Sequence, residues 1–314
     1  MTRANETACE TIMAICPVNA DQPLPPGLIH RAARLPRGAP LVVMIHGFRY
    51  SPHDPASDPH RHILALKPDR PGARRMCSWP SSLGFTRDGA EEGLGITFGW
   101  HARGGLREAY RRAGAVGQGL GALVGQLSAA AGRPVQMIAH SLGARVALQA
   151  LASAPPGSVG RVVLMAGAEL RPAAEAAMDS PAAQQAEIIN VTSRENDLFD
   201  LATQVLLGRA RRPALGFGLS EPRRNWLDLQ IDAPATRAGL AALGFDIAGD
   251  VVRACHWSPY TREGLFDFYR VALAQPWALP LPLLRAHLPI SQNRRWSRLF
   301  QPPRLAQSSF LSRA

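Results

Sequence analysis

Lysine is almost missing from this chain. Of its 35 basic residues Lys67 is the only lysine, so the net charge of +11 is an arginine charge. The arginines are scattered, no basic run alternates with aromatics, and no nucleic-acid motif occurs. The balance therefore describes a solvated basic surface, and no nucleic-acid partner is expected. Cysteine is also scarce: Cys9, Cys16, Cys77 and Cys255 show no short paired spacing of the metal or redox kind. Four cysteines in a chain this long make no disulfide framework either. Long apolar runs are lacking, so no segment reaches the length of a bilayer span. The short run Thr11 to Cys16, with only Arg3 before it, is too brief for a signal region. The bacterial cytoplasm is the expected compartment.

What is present is a globular composition, 46% hydrophobic and 19% charged over 314 residues, enough for one large core. Short apolar runs alternate with helical patterns. Leu41-Val42-Val43-Met44-Ile45 is continuous, as expected of a strand buried on both faces of a parallel sheet. Thr11 to Cys16, Arg74 to Trp79, Val135 to Ala139, Arg161 to Ala166 and Glu187 to Thr192 read as further strands. Trp226 to Asp232 alternates like an edge strand. Phe85 to Gly99 reads as a glycine-rich loop. Between these lie helical patterns over Leu106 to Ala131, Leu198 to Leu207 and Glu263 to Ala274; the glycines of the first signal close packing. Strand–helix alternation predicts an α/β fold with a mostly parallel sheet. The domain is expected over 1–275. Gly208 to Asn225 is long for a connection and reads as a lid or a mobile segment. Residues 276–314, rich in proline and arginine, read as a poorly ordered or surface-docking extension, for which membrane contact is the less favoured alternative.

The chemistry is concentrated in Ala139-His140-Ser141-Leu142-Gly143, where a buried strand turns into a helix around one serine. Small-x-Ser-x-Gly is the pattern of a nucleophile elbow: the hydroxyl stands clear of the sheet while the helix N-terminus favours developing negative charge. Only small residues fit two positions either side, where strand and helix nearly touch. A serine hydroxyl needs a base, and the base an orienting acid. His256 is the only histidine after Ser141 and before the tail, where His287 lies. His140 leaves the turn in another direction and reads as packing. For the acid, Asp197 follows a strand by a short turn, with Asp200, Glu169, Asp246 and Asp250 as competitors; helix capping is the plain role open to Asp197. His46-Gly47-Phe48 closes another strand, and the amides of Phe48 and Leu142 are the two expected oxyanion donors. The loop from Arg49 to His62 holds His53, Asp54, Asp58, His60 and His62, but prolines interrupt it, and it reads as solvated rather than metal-binding.

Taken in order, the His46-Gly47-Phe48 loop, the Ala139–Gly143 elbow, the Asn196-Asp197 turn and His256 resemble the α/β-hydrolase superfamily, and Cys77-Ser78-Trp79-Pro80 looks like a bacterial branch of it without assigned function. Ala139 departs from the glycine that most members carry there. The resemblance spans about residues 12–273. It implies a mostly parallel sheet of about eight strands and acyl transfer through Ser141, His256 and Asp197, with no metal or organic cofactor. A small-molecule ester or thioester is the implied substrate. An acyltransferase on the same triad and a non-catalytic binding protein of the same fold are the alternatives.

Overall fold

In the computed structural model, residues 14–69, 76–86, 93–208, 210–249, 252–289 and 292–299 are described. Their strands are β1 (Ile15–Asn19), β2 (Leu41–Ile45), β3 (Leu94–Gly99), β4 (Val135–His140), β5 (Val159–Met165), β6 (Glu187–Thr192) and β7 (Trp226–Gln230). They form one all-parallel sheet in the order β1-β3-β2-β4-β5-β6-β7. The chain is thus of the α/β class, with seven strands among the described residues where about eight are expected. No described helix is long and apolar enough to cross a membrane.

The continuous apolar runs have a simple cause. Along β2, Val43 and Ile45 join a core on one face of the sheet, while Val42 and Met44 join a second core on the other. Period-two side chains with helices on both faces leave no polar side. Helices α1 (Leu28–Ala33), α3 (Leu106–Ala131), α4 (Gly143–Ser153) and α5 (Arg171–Met178) contribute to the first core. Helices α2 (Trp79–Ser82), α7 (Pro234–Ala242), α8 (Ser258–Thr261), α9 (Leu265–Ala274) and α10 (Leu281–His287) contribute to the second. A further helix, α6 (Asp197–Leu206), follows β6. The glycines of α3 let it lie against α4: a Cβ at Gly117 would stand 2.6 Å from the Val146 carbonyl, and one at Gly121 2.8 Å from that of Ala150.

Several expectations shift. The first strand is displaced to Ile15–Asn19 and runs through Pro17, which an edge strand tolerates; residues 11–13 lie outside the described residues. The strand expected over Arg74 to Trp79 does not form in its described part: Met76, Cys77 and Ser78 are irregular, and Trp79 opens α2 with Ser78 capping it. Residues 74 and 75 lie outside the described ones. Strand β3 occupies the end of the expected glycine-rich loop. The expected edge strand is indeed the sheet's last, β7. Within 208–225, Ala214, Leu215 and Gly216 are buried, and the Leu215 amide donates to Glu169 O at 2.9 Å. Beyond 275 the chain packs rather than trailing off: Leu279, Leu281, Leu284 and Leu288 are buried in the second core. Residues 300–314 lie outside the described ones.

Candidate active site

The order of strands reverses at β2. The chain first adds β3 on one side of it and then β4 on the other, so the carboxyl ends of β2 and β4 bound the crevice where open α/β sheets bind ligands. Ser141 stands there, one residue beyond β4. Its φ of 55° is left-handed, a conformation that costs an L-residue about 1–2 kcal/mol. The turn is fixed by backbone bonds: the Ser141 amide donates to Met165 O at 3.0 Å, and its carbonyl accepts from Ala144 and Ala168.

Two glycines allow the approach of the neighbouring loop. A Cβ on Gly47 would lie 2.7 Å from Ser141 Cβ and 3.3 Å from its Oγ, so the loop after β2 passes directly over the hydroxyl. A Cβ on Gly143 would lie 2.6 Å from the carbonyls of Ile45 and His46. That loop is rigid. His46 is buried, its Nδ1–H donates to Gly47 O at 2.9 Å, its Nε2 accepts the Trp100 amide at 3.0 Å, and Trp100 Nε1 donates to its carbonyl. Burial holds the His46 imidazole down to about 3, so it stays neutral and serves as a fixed acceptor. Phe48 and Leu142, the expected oxyanion donors, flank the serine on the loop after β2 and at the start of α4.

His256 reaches this crevice from the loop before α8. His140 Nε2–H donates to the His256 carbonyl at 2.9 Å, and the two rings lie 4.6 Å apart. His140 itself is boxed by Tyr260 and Trp79, and burial lowers it to about 4. It thus ties the elbow to the His256 loop. Burial first, then His140, holds the His256 imidazole well below its ordinary value. Among the described residues no hydrogen bond joins Ser141 Oγ to His256. Phe199 stacks on the His256 ring at 4.9 Å.

The residue facing His256 Nδ1 is Asn196, whose Oδ1 lies 2.6 Å away. Its amide orientation is set by Nδ2 donating to Asp200 Oδ1 at 3.0 Å. A carbonyl oxygen on Nδ1 makes Nδ1 the protonated nitrogen and leaves Nε2 with a free lone pair. Asp197, the expected acid, is not brought to His256. Its Oδ2 accepts the Trp296 amide at 2.5 Å, and its Oδ1 pairs with Arg194 at 3.3 Å. The reason is local: Asn196 and Asp197 are successive residues at the entry to a helix, where side chains diverge by about 100°. Of the competitors, Asp200 stands behind Asn196, and burial raises it to about 7 against the pull of Arg194. Glu169 is bonded to Tyr110 and Arg145, Asp246 is exposed, and Asp250 lies outside the described residues.

Glu195 and Arg262, which sequence reasoning passed over, anchor the base loop. Both are buried and paired at 2.8 and 2.9 Å, and Glu195 also accepts the amides of Val252 (by Oε1) and Cys255 (by its carbonyl). The histidines after Arg49 go to separate partners, His53 to Asp21 and His60 to Asn19 and Thr97. No group of three histidine, cysteine or acidic residues among the described ones is arranged to hold a metal ion. No protein-family model matches the chain, and no curated protein matches it.

Proposed function

We propose that this protein is a serine hydrolase of carboxylic esters or thioesters, acting on a small-molecule substrate from an α/β-hydrolase fold. The observation that carries the reading is Ser141. A non-glycine residue is kept in the left-handed region at a strand-to-helix turn, with a glycine backbone pressed against its hydroxyl. Strain of this kind is retained where a fixed side-chain position is worth its cost.

Ser141 Oγ attacks the substrate carbonyl carbon while its proton passes to His256 Nε2. The oxyanion is met by the amides of Phe48 and Leu142. Nε2–H then protonates the leaving alcohol or thiol as the C–O or C–S bond breaks, and the acyl group stays on Oγ. Water, deprotonated by the same nitrogen, adds to the acyl-enzyme and releases the acid. Asn196 holds the imidazole in the required tautomer. The Ser141–His256 bond forms in the substrate complex, where catalytic hydrogen bonds commonly tighten. An acyltransferase would use the same steps, with another nucleophile in place of water.

The carboxamide at Asn196, where a triad has a carboxylate, favours a binding protein without turnover. A p-nitrophenyl ester series separates the two. The hydrolase reading expects a burst followed by steady turnover, with Ser141→Ala and His256→Ala each lowering the rate by at least about a thousandfold at unchanged melting temperature. Hydrolysis that survives Ser141→Ala would contradict it.

A further inference from the structure

Helix α6 is amphipathic the wrong way round. Its polar residues Asp197, Asp200, Thr203 and Gln204 are buried, and Asp197, Asp200 and Gln204 are bonded to Arg194, Asn196, Arg295 and neighbouring backbone. Its apolar stripe faces outward: Leu198, Val205 and Leu206 are 44%, 53% and 52% exposed, with Ala202 exposed and Leu201 half-buried beside them. Surface helices of globular proteins do the reverse. The stripe has a basic rim. Arg107 Nε donates to the Leu206 carbonyl at 2.5 Å, placing an exposed guanidinium at the helix's carboxyl end, and the exposed Arg211 and Arg212 follow shortly after it. From 198 to 213 every described exposed residue is apolar, glycine, proline or arginine. Glu108, next to Arg107, is engaged by Arg112 at 3.1 Å.

We infer that the outward face of α6 is a docking surface for an anionic lipid bilayer. A short helix with an apolar face and arginines at its border lies in the headgroup region, its apolar side entering the acyl boundary and its guanidinium groups meeting lipid phosphates. Charge selects this occupant over a second copy of the chain. Two such faces packed on each other would oppose arginine to arginine in molecules that each carry +11. The face also adjoins the candidate site, since Phe199 of the same helix stacks on His256 and meets Trp257 edge-on. Docking would therefore bring the crevice to the membrane plane. The inference concerns binding alone and does not depend on Ser141 being catalytic.

The test is co-sedimentation of the full chain with phosphatidylcholine vesicles, with and without phosphatidylserine, at low and high salt. The expected result is binding to the phosphatidylserine vesicles that salt releases and that neutral vesicles do not match. The charge-neutral variant Val205→Ser/Leu206→Ser should bind at least about tenfold more weakly, and Arg211→Gln/Arg212→Gln should bind several-fold more weakly. All these side chains are well exposed, so both variants should keep the native melting temperature. Equal binding by Val205→Ser/Leu206→Ser would overturn the inference, because charge elsewhere would then explain the affinity. So would equal binding to neutral vesicles, or no binding by the native protein. A native dimer that this variant dissociates would assign the face to a second copy instead.

Discussion

A carboxamide, not a carboxylate, faces His256 Nδ1, and the Asp200 carboxyl stands one hydrogen bond further back, on the Asn196 amide nitrogen. The arrangement makes a specific statement about pH. The depressed His256 keeps its Nε2 lone pair free into acid, so in the proposed mechanism the base does not limit turnover near neutrality. Burial, against the pull of Arg194, brings Asp200 up to about 7, in contact with Asn196. As pH rises its carboxyl ionises, accepts the Asn196 amide more strongly, and polarises the carbonyl that would hold the imidazolium of the proposed mechanism. The native pH–rate profile should therefore rise through the neutral range, and the profile of Asp200→Asn should be flat there. In Asn196→Asp/Asp200→Asn the carboxylate sits directly on Nδ1. A neighbouring anion raises an imidazole's pKa, so the acid limb of that variant should move toward neutrality. An unchanged neutral step in Asp200→Asn would remove Asp200 from the account. Asn196→Ala should cost on the order of a hundredfold or more in kcat, since a misheld tautomer disables the base.

At the scale of elements, the candidate site is three loops held together from behind. The loop after β2 is fixed by His46 and Trp100; the β4–α4 turn by its contacts with β5 and Gly47; the His256 loop by Glu195, Arg262 and His140. Breaking one partner of a buried ion pair strands the other, at a cost of about 3–5 kcal/mol. Arg262→Met should accordingly lower the midpoint of denaturant unfolding by a corresponding amount, and also weaken the proposed ester hydrolysis through displacement of His256. A midpoint equal to the native one would mean the Glu195–Arg262 pair is not a strut. The legibility of these elements in the sequence varied for physical reasons. The run at Leu41 is readable because a strand buried on both faces is apolar throughout, and those at Glu187 and before the elbow because Ile188, Ile189 and Val191, and Val135, Met137, Ile138 and Ala139, keep most of that character. Strand β3 reads as loop because Gly95 and Gly99 break its pattern. Those glycines are there for room: a Cβ would lie 2.8 Å from Met44 Cε at Gly95 and 2.7 Å from His60 Nε2 at Gly99. Asn196 escapes a search for an acid because it is not one, and the carboxylate beside it in sequence points elsewhere. The outward stripe of α6 is visible as a period, but a period cannot say which face is buried.

For the whole molecule, the decisive feature is the part beyond Ala274, whose prolines and arginines disguise its role. Leu281, Leu284 and Leu288 recur at helical spacing and are buried against the second face of the sheet. Further on, Arg298 is bonded to Asp232, and the Trp296 amide to Asp197. This segment therefore closes the core and braces the carboxyl ends of β6 and β7, behind Asn196 and Asp200. Ending the chain after residue 275 would remove four leucines that are now buried, each contributing roughly 1.5–3 kcal/mol, and bare the core beneath them. That sum is comparable with the whole stability of a domain. The shortened chain should lose its cooperative thermal transition; a native-like transition would show the segment to be an appendage.

The central claim is that the hydroxyl strained into the elbow is a nucleophile activated by His256. Labelling with a fluorophosphonate, followed by peptide mapping, tests it most directly, because an activated serine displaces fluoride from the probe and mapping shows which serine carries the adduct. The expected result is one adduct, on Ser141, absent from Ser141→Ala and strongly slowed in His256→Ala. An unlabelled native protein, or an adduct on another serine, would contradict it.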